Sequence, residues 1–260
     1  MAEVGLHVDV HEGNGPPVLL VHGIMAGRAL WDANLEELRA VATPVVVELF
    51  GHGRSPTPVE EVFYQPAAYV TQFERIRNQL GAERWLVIGQ SLGAALTLRY
   101  VLDRPERVIG HVITNSVSAL ARSVGGGAQE MESAARRIEE GGHGVLSEHS
   151  LNPARSRRIV GPVREALAAD QHLLDPAGIA AAVRHTAQGA SSRTRAGENR
   201  VPTLIVAGTR EKAFEEPCRF AEATMPFVEV TRVDAGHSPN AEVPDVFNEA
   251  VRRFVTRLLV

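Results

Sequence analysis

The sequence predicts an α/β fold: a mostly parallel sheet flanked by helices on both sides. Three observations carry that expectation. Short apolar runs of strand type alternate along the chain with helical patterns, as an open sheet with crossover helices requires. Several of these runs are continuously apolar, which suits parallel strands covered on both faces. The run Trp85-Leu86-Val87-Ile88-Gly89-Gln90-Ser91-Leu92-Gly93-Ala94-Ala95 then passes from an apolar strand straight into helix formers, a strand–turn–helix junction written in eleven residues.

Taken in order, Leu6 to Val10 reads as an antiparallel edge strand, and Val18 to Val21 as the first interior strand. A helix is expected over Leu30 to Val41, a strand over Val45 to Leu49, and a helix over Ala67 to Leu80. Leu86 to Ile88, Ala94 to Leu102 and Val108 to Thr114 read as strand, helix and strand. From Val117 to Glu198 the strand rhythm stops. Helical stretches at Gln129 to Glu140, Val163 to Leu174 and Pro176 to Ala187 are punctuated by Gly125-Gly126-Gly127 and Gly141-Gly142-His143-Gly144. An insertion of that length is a small helical subdomain rather than a loop. The expected division is therefore a core of 1–116 and 199–260 around an insertion of 117–198. Strands at Thr203 to Ala207 and Val228 to Val233 resume the sheet, with a helix over Glu216 to Thr224 between them. The closing helix, Val243 to Leu259, carries a 3.6-residue apolar stripe through Val246, Phe247, Ala250, Val251, Phe254, Val255 and Leu258.

Composition narrows the function classes. A chain of 260 residues with 44% hydrophobic content suits one large globular unit, with or without an insertion. The balance of 27 basic against 31 acidic residues, a formal charge of −4, offers no support for nucleic-acid binding. No Lys/Arg block suggests an anionic membrane, and the longest apolar stretches are too short to span a bilayer. The opening Met1-Ala2-Glu3-Val4-Gly5 lacks a basic region followed by an apolar one, so no secretory signal is expected. One cysteine, Cys218, excludes an intramolecular disulfide and fits a reducing, cytoplasmic setting. No metal-ligand spacing and no Gly-x-Gly-x-x-Gly after a strand is present, so no cofactor is expected. The expected partner is a small-molecule substrate, and a homodimer remains open.

Gly89-Gln90-Ser91-Leu92-Gly93 has the form of a nucleophile elbow. Such a turn holds its serine in a strained backbone conformation above the end of a sheet, and its glycines leave room where strand and helix converge. With this motif the chain resembles the α/β-hydrolase superfamily over nearly its whole length. Val18 to Gly23 resembles the strand that ends in His-Gly. Glu48-Leu49-Phe50-Gly51-His52-Gly53-Arg54-Ser55 resembles the Asp-x-x-Gly-His-Gly-x-Ser loop, with Glu48 in place of Asp. Asp234-Ala235-Gly236-His237-Ser238 resembles the loop that presents the catalytic histidine. The resemblance implies an α/β-hydrolase fold with a helical cap inserted after the sixth strand.

The chemistry needs a nucleophile, a base and a carboxylate that orients the base. Ser91 and His237 fill the first two roles, and the resemblance puts Glu211 of Gly208-Thr209-Arg210-Glu211 at the acid position. Glu215 and Asp234 are the other carboxylates weighed for that role. The resemblance also assigns the oxyanion hole to the backbone N–H groups of Ile24 and Leu92. Met25 would then line the substrate pocket, Trp31 stands near it or packs in its helix, and Gln90 faces either the pocket or the sheet. His22 and His52 belong to structural loops, and the other seven histidines read as solvated or cap residues. Cys218, in a helix without a motif, is not expected to be catalytic.

Three functions follow. The first is a serine hydrolase that cleaves a small ester, thioester, lactone or activated C–C bond through an acyl-enzyme. The second is a C–C/C–O lyase using the triad as a base: Gly208 to Phe214 is similar to a loop of the superfamily's menaquinone-pathway lyase, and the insertion carries Arg136, Arg137, Arg155, Arg157, Arg158, Arg184, Arg193 and Arg195, which read first as a solvated face. The third is a non-catalytic ligand binder.

Overall fold

A computed structural model describes residues 4–122 and 127–259. Seven strands, β1 (His7–Val10), β2 (Pro17–Val21), β3 (Thr43–Glu48), β4 (Trp85–Gln90), β5 (Val108–Thr114), β6 (Thr203–Gly208) and β7 (Val228–Val233), build one sheet in the order β1-β3-β2-β4-β5-β6-β7. Only β1 is antiparallel, with His7 opposite Glu48, and every other pairing is parallel. The register sets Leu19 opposite both Val45 and Val87, at the centre of the sheet.

The helices are α1 (Leu35–Arg39), α2 (Pro66–Gln79), α3 (Leu92–Asp103), α4 (Val117–Leu120), α5 (Ala128–Glu148), α6 (Gly161–Ala169), α7 (Pro176–Ala181), α8 (Glu215–Thr224), α9 (Pro239–Glu242) and α10 (Pro244–Leu259). Alternate residues of the interior strands enter two separate cores. Leu19, Val21, Val45, Val47, Val87 and Ile205 pack with α2, α3 and α8. Val18, Leu20, Val46, Ile88, Val112 and Val206 pack with Leu38 of α1 and with Phe247, Val251 and Phe254 of α10. Both faces of the interior strands are thus covered, which is why those strands are apolar without alternation.

Between β5 and β6 the described chain forms helices and no strand. This insertion follows the fifth strand, not the sixth: β1 is the single antiparallel strand ahead of the parallel block, and the sheet closes at seven. Its helices rest on the loop after β2. Met25 clusters with Ala135 and Ile138 of α5 and Ile179 of α7, while Ala26 and Leu30 cluster with Ile159, Val163 and Leu167.

Several helices differ from the sequence expectation. The segment Leu30 to Val41 is not one helix but a 3₁₀ turn, Arg28–Trp31, followed by the short α1. Asn34 breaks it, because its amide donates to Asn240 O and Asn248 Oδ1 across the interface with α9 and α10. α5 runs through the second glycine cluster to Glu148, with a kink at Gly142 (φ 57°) that only glycine adopts cheaply. α7 continues into a π-turn, Ala182–Ala187, and α6 into a 3₁₀ turn, Asp170–Leu173. Gly125 and Gly126 of the first cluster lie outside the described residues. No helix among the described residues is long and apolar enough to cross a membrane.

Candidate active site

The run from β4 into α3 turns at Ser91, which adopts φ 54°, ψ −118°. Among the described residues only Met25 (φ 59°) shares a positive φ without being glycine. Such strain costs on the order of 1–3 kcal/mol and persists only where neighbours overdetermine it. Here Ser91 N donates to Thr114 O at 3.3 Å, and Ser91 O accepts from Ser116 Oγ at 2.6 Å. The flanking glycines are required by contact: a Cβ on Gly89 would lie 2.5 Å from Ala94 Cα, and one on Gly93 would lie 2.2 Å from Val21 O. Gly23 approaches as closely, and a Cβ there would lie 2.8 Å from Ser91 Cβ. The elbow therefore presses the loop after β2 against the serine.

The loops after β6 and β7 meet each other. His237 Nδ1 lies 2.8 Å from Glu211 Oε1. The imidazole is about one-third exposed and the carboxylate one-fifth. Of the three carboxylates weighed, this is the one that reaches the ring. Asp234 is turned outward and pairs with Arg210, and Glu215 opens α8 at the surface. Backbone atoms on either side of His237 are fixed by side chains from other elements. Gln90 Nε2 donates to His237 O at 3.1 Å, and Asn115 Nδ2 donates to Gly236 O at 3.0 Å. The Glu242 carboxylate accepts from Gly236 N at 2.7 Å and from Ser238 N at 3.1 Å. Asn115 also donates to Glu211 Oε2 at 2.8 Å. Sequence reasoning missed both Asn115 and Glu242. The available signal was position: Thr114-Asn115-Ser116 is a polar triplet at the carboxyl end of an apolar parallel strand, where open α/β sheets gather their sites.

The loop after β2 carries the other expected groups. Met25 N–H donates to His52 Nε2 at 3.0 Å, so that amide is occupied. The Ile24 N–H has no acceptor among the described residues, and Leu92 opens α3, so its N–H has no intrahelical partner. Leu49 N–H donates to His22 Nε2 at 3.1 Å. The other ring nitrogens face carbonyls, His22 Nδ1 toward Gly23 O at 2.7 Å and His52 Nδ1 toward Phe50 O at 2.9 Å. Both rings are therefore neutral and carry their proton on Nδ1. Burial pushes both pKa values down, His52 to about 3. Glu48 supports the neighbouring turn, its Oε2 accepting from Arg54 N and Nε, each at 3.0 Å.

Other expected positions need correction. Trp31 is not at a pocket: the 3₁₀ turn points it into the sheet core, 6.5 Å from the Phe247 ring. Gln90 is buried and its amide donates into the His237 loop. Met25 is buried beneath α5 and α7. His111 is neither solvated nor in the insertion but wholly buried on β5, where Thr97 Oγ1 lies 2.9 Å from its Nε2, and burial pushes it to about 3. Cys218 is buried, its thiol pushed up to about 11, and it borders a cavity of about 250 Å³ that reaches Glu211 and Arg232. Among the insertion arginines, Arg184 binds Glu132 and Glu139, Arg193 binds Glu216 and lies over Phe220, and Arg195 binds Asp103 and Glu198. Arg158 reaches toward the His237 loop, 4.0 Å from Glu242.

A family model for the alpha/beta hydrolase fold matches residues 16–242. The dihydrolipoyllysine-residue acetyltransferase component of the acetoin cleaving system of Cupriavidus necator is 27% identical, over 93% of this chain and 64% of that protein. A putative 2-succinyl-6-hydroxy-2,4-cyclohexadiene-1-carboxylate synthase of Bacillus subtilis is 22% identical, over 93% of this chain and 90% of that protein. Several curated relatives are longer, and the chain spans about a third (32%) of their length. The crystal structure of an enol-lactonase from Burkholderia xenovorans superposes with a TM-score of 0.84 at 19% identity, covering 96% of both chains.

Proposed function

Since the chain belongs to the alpha/beta hydrolase fold family, we propose that it is a serine hydrolase working through a Ser91–His237–Glu211 triad. The observation that carries this reading is the 2.8 Å contact of His237 Nδ1 with Glu211 Oε1, on a loop that the residue before the positive-φ Ser91, Gln90, holds through His237 O. Ser91 Oγ attacks the carbonyl carbon of a small ester, thioester, lactone or activated C–C substrate while His237 Nε2 takes its proton. Glu211 keeps the His237 proton on Nδ1 and stabilises the imidazolium. The Ile24 and Leu92 N–H groups receive the oxyanion, the second with the α3 dipole behind it. His237 then protonates the leaving group, and water releases the acyl group by the reverse proton path. The helices between β5 and β6 act as the cap over Ile24 and Met25. A reducing compartment suits the one buried thiol.

The lyase reading has one observation in its favour, the near full-length similarity to the Bacillus subtilis synthase. The arginines of the insertion add little to it, because Arg184, Arg193 and Arg195 are engaged in ion pairs. A fluorophosphonate probe tests the enzyme readings. Stoichiometric labelling of Ser91, abolished in Ser91→Ala, is expected, and no labelling would remove both. A burst of p-nitrophenol from p-nitrophenyl acetate then separates the hydrolase, which accumulates an acyl-enzyme, from the lyase.

A further inference from the structure

Asn115 follows β5 directly and is completely buried. Its Oδ1 accepts from Gly208 N at 2.7 Å. Its Nδ2 faces three acceptors: Glu211 Oε2 at 2.8 Å, Gly236 O at 3.0 Å and Gly208 O at 3.2 Å. The amide has one orientation only, because a flipped group would set its oxygen against a carboxylate and two carbonyls. One rigid side chain thus joins the end of β6, the carboxylate on the loop that follows, and the carbonyl immediately before His237. With Oε2 taken by Asn115, Glu211 is left with Oε1 to meet the imidazole. We propose that Asn115 is a positioning residue that fixes the Glu211 carboxylate and the His237 loop in one frame. This rests on the Ser–His–Glu reading above.

Aspartate at this position has nearly the same shape but the opposite bonding capacity toward Glu211. Charged groups already surround the pair: Arg210 with Asp234, Lys212, Glu215, Arg232, and Glu242 with Arg158 beyond it. None of these carboxylates bonds Glu211, so a carboxylate at 115 introduces a coupling that is absent from the native protein. It opposes ionisation of Glu211 and favours protonated His237. Both effects act in the same direction, and the competent form, ionised acid with neutral base, then requires higher pH.

The test is the rate of Ser91 phosphonylation by a fluorophosphonate between pH 5 and 9, in the wild type, Asn115→Asp and Asn115→Ala, with folding checked by circular dichroism. Asn115→Asp is expected to move the acid limb up by roughly one pH unit. Asn115→Ala is expected to slow labelling at least tenfold at pH 7.5 while remaining folded. An unmoved acid limb in a folded Asn115→Asp, or an Asn115→Ala rate within threefold of wild type, overturns the proposal. So does failure of both variants to fold, which would make Asn115 a scaffold residue. A wild type that is not labelled at all indicts the triad reading instead, so the two failures are distinguishable.

Discussion

The imidazoles of His22 and His52 stand 5.0 Å apart, and each accepts a backbone N–H from the other's loop. Leu49, after β3, donates to His22, and Met25, after β2, donates to His52. The two loops are therefore cross-fastened, and the fastening holds Met25 in its positive-φ turn beside the Ile24 N–H. Each ring accepts through Nε2, so protonation of either ring removes an acceptor and places a charge in a dry site.

That arrangement predicts the response to acid. His52 and His111 are pushed to about 3 and His22 is also lowered, against an unfolded value near 6.5. Below pH 6.5 the unfolded chain binds protons that the folded chain does not, so stability falls as pH falls from about 6.5 toward about 3. His52 and His111 each contribute up to about 1.4 kcal/mol per pH unit within that window, and His22 acts in the same direction. Urea unfolding at pH 7, 6, 5.5, 5 and 4.5 measures it. The carboxylates lowered from 3.8, such as Asp9 and Asp103, act below the lowest pH of this series. A flat profile from pH 7 to 4.5 would contradict the burial of these rings.

The interior strands were legible because covered parallel strands must be apolar on both faces, and all seven strands lie within two residues of the segments that announced them. Ser91 and His237 were legible because glycine contacts constrain the elbow and the Gly-His loop in sequence. Glu211 needed the family's spacing, since three carboxylates were within reach of the argument. Trp31 and Asn115 were not legible for a common reason. Each is defined by a long-range partner, Phe247 for the indole and Glu211 with Gly236 for the amide, and no local pattern encodes either. The break of the Leu30 to Val41 segment was hidden likewise in the contacts of Asn34 with α9 and α10.

Gly53 marks a second strict requirement. It sits at φ +57°, and a Cβ there would lie 1.9 Å from Glu48 Oε1. Gly81 has a similar φ of +65°, but a Cβ there meets nothing within 4 Å. Gly81→Ala should cost only the conformational strain, about 1 kcal/mol. Gly53→Ala must also displace the buried Glu48 carboxylate from Arg54, so a loss of about 3 kcal/mol is expected. Chemical denaturation of the two variants compares them directly, and equal losses would show that the Glu48 contact is soft.

Arg184 ties the π-turn to α5, with Nε 2.6 Å from Glu132 Oε2 and Nη1 3.0 Å from Glu139 Oε1. Glu132 and Glu139 lie two turns apart on one face of α5, so the guanidinium spans them as a brace. Arg184→Ala should accelerate amide exchange severalfold over residues 130–140 and leave β4 and β5 unchanged. High salt should reproduce part of the effect, because partly exposed ion pairs are screened. Uniform exchange changes across the sheet would mean that α5 is not held locally.

Glu211→Gln tests the proposed triad acid with almost no change of shape. Glutamine can direct its oxygen at His237 Nδ1–H, but its NH₂ then meets Asn115 Nδ2, a donor facing a donor. Turned over, it satisfies Asn115 but presents NH₂ to His237 Nδ1, which forces the ring proton onto Nε2. That tautomer cannot take the proton of Ser91. Either orientation leaves one conflict, and neither stabilises an imidazolium. Turnover should fall at least tenfold, and amide replacement of a triad acid can cost as much as about 10⁴-fold. KM and the thermal midpoint should change little, since Glu211 contacts His237, the proposed base. Hydrolysis of p-nitrophenyl acetate and the rate of Ser91 labelling should fall together. If both are unchanged in a folded variant, the orienting carboxylate is another residue.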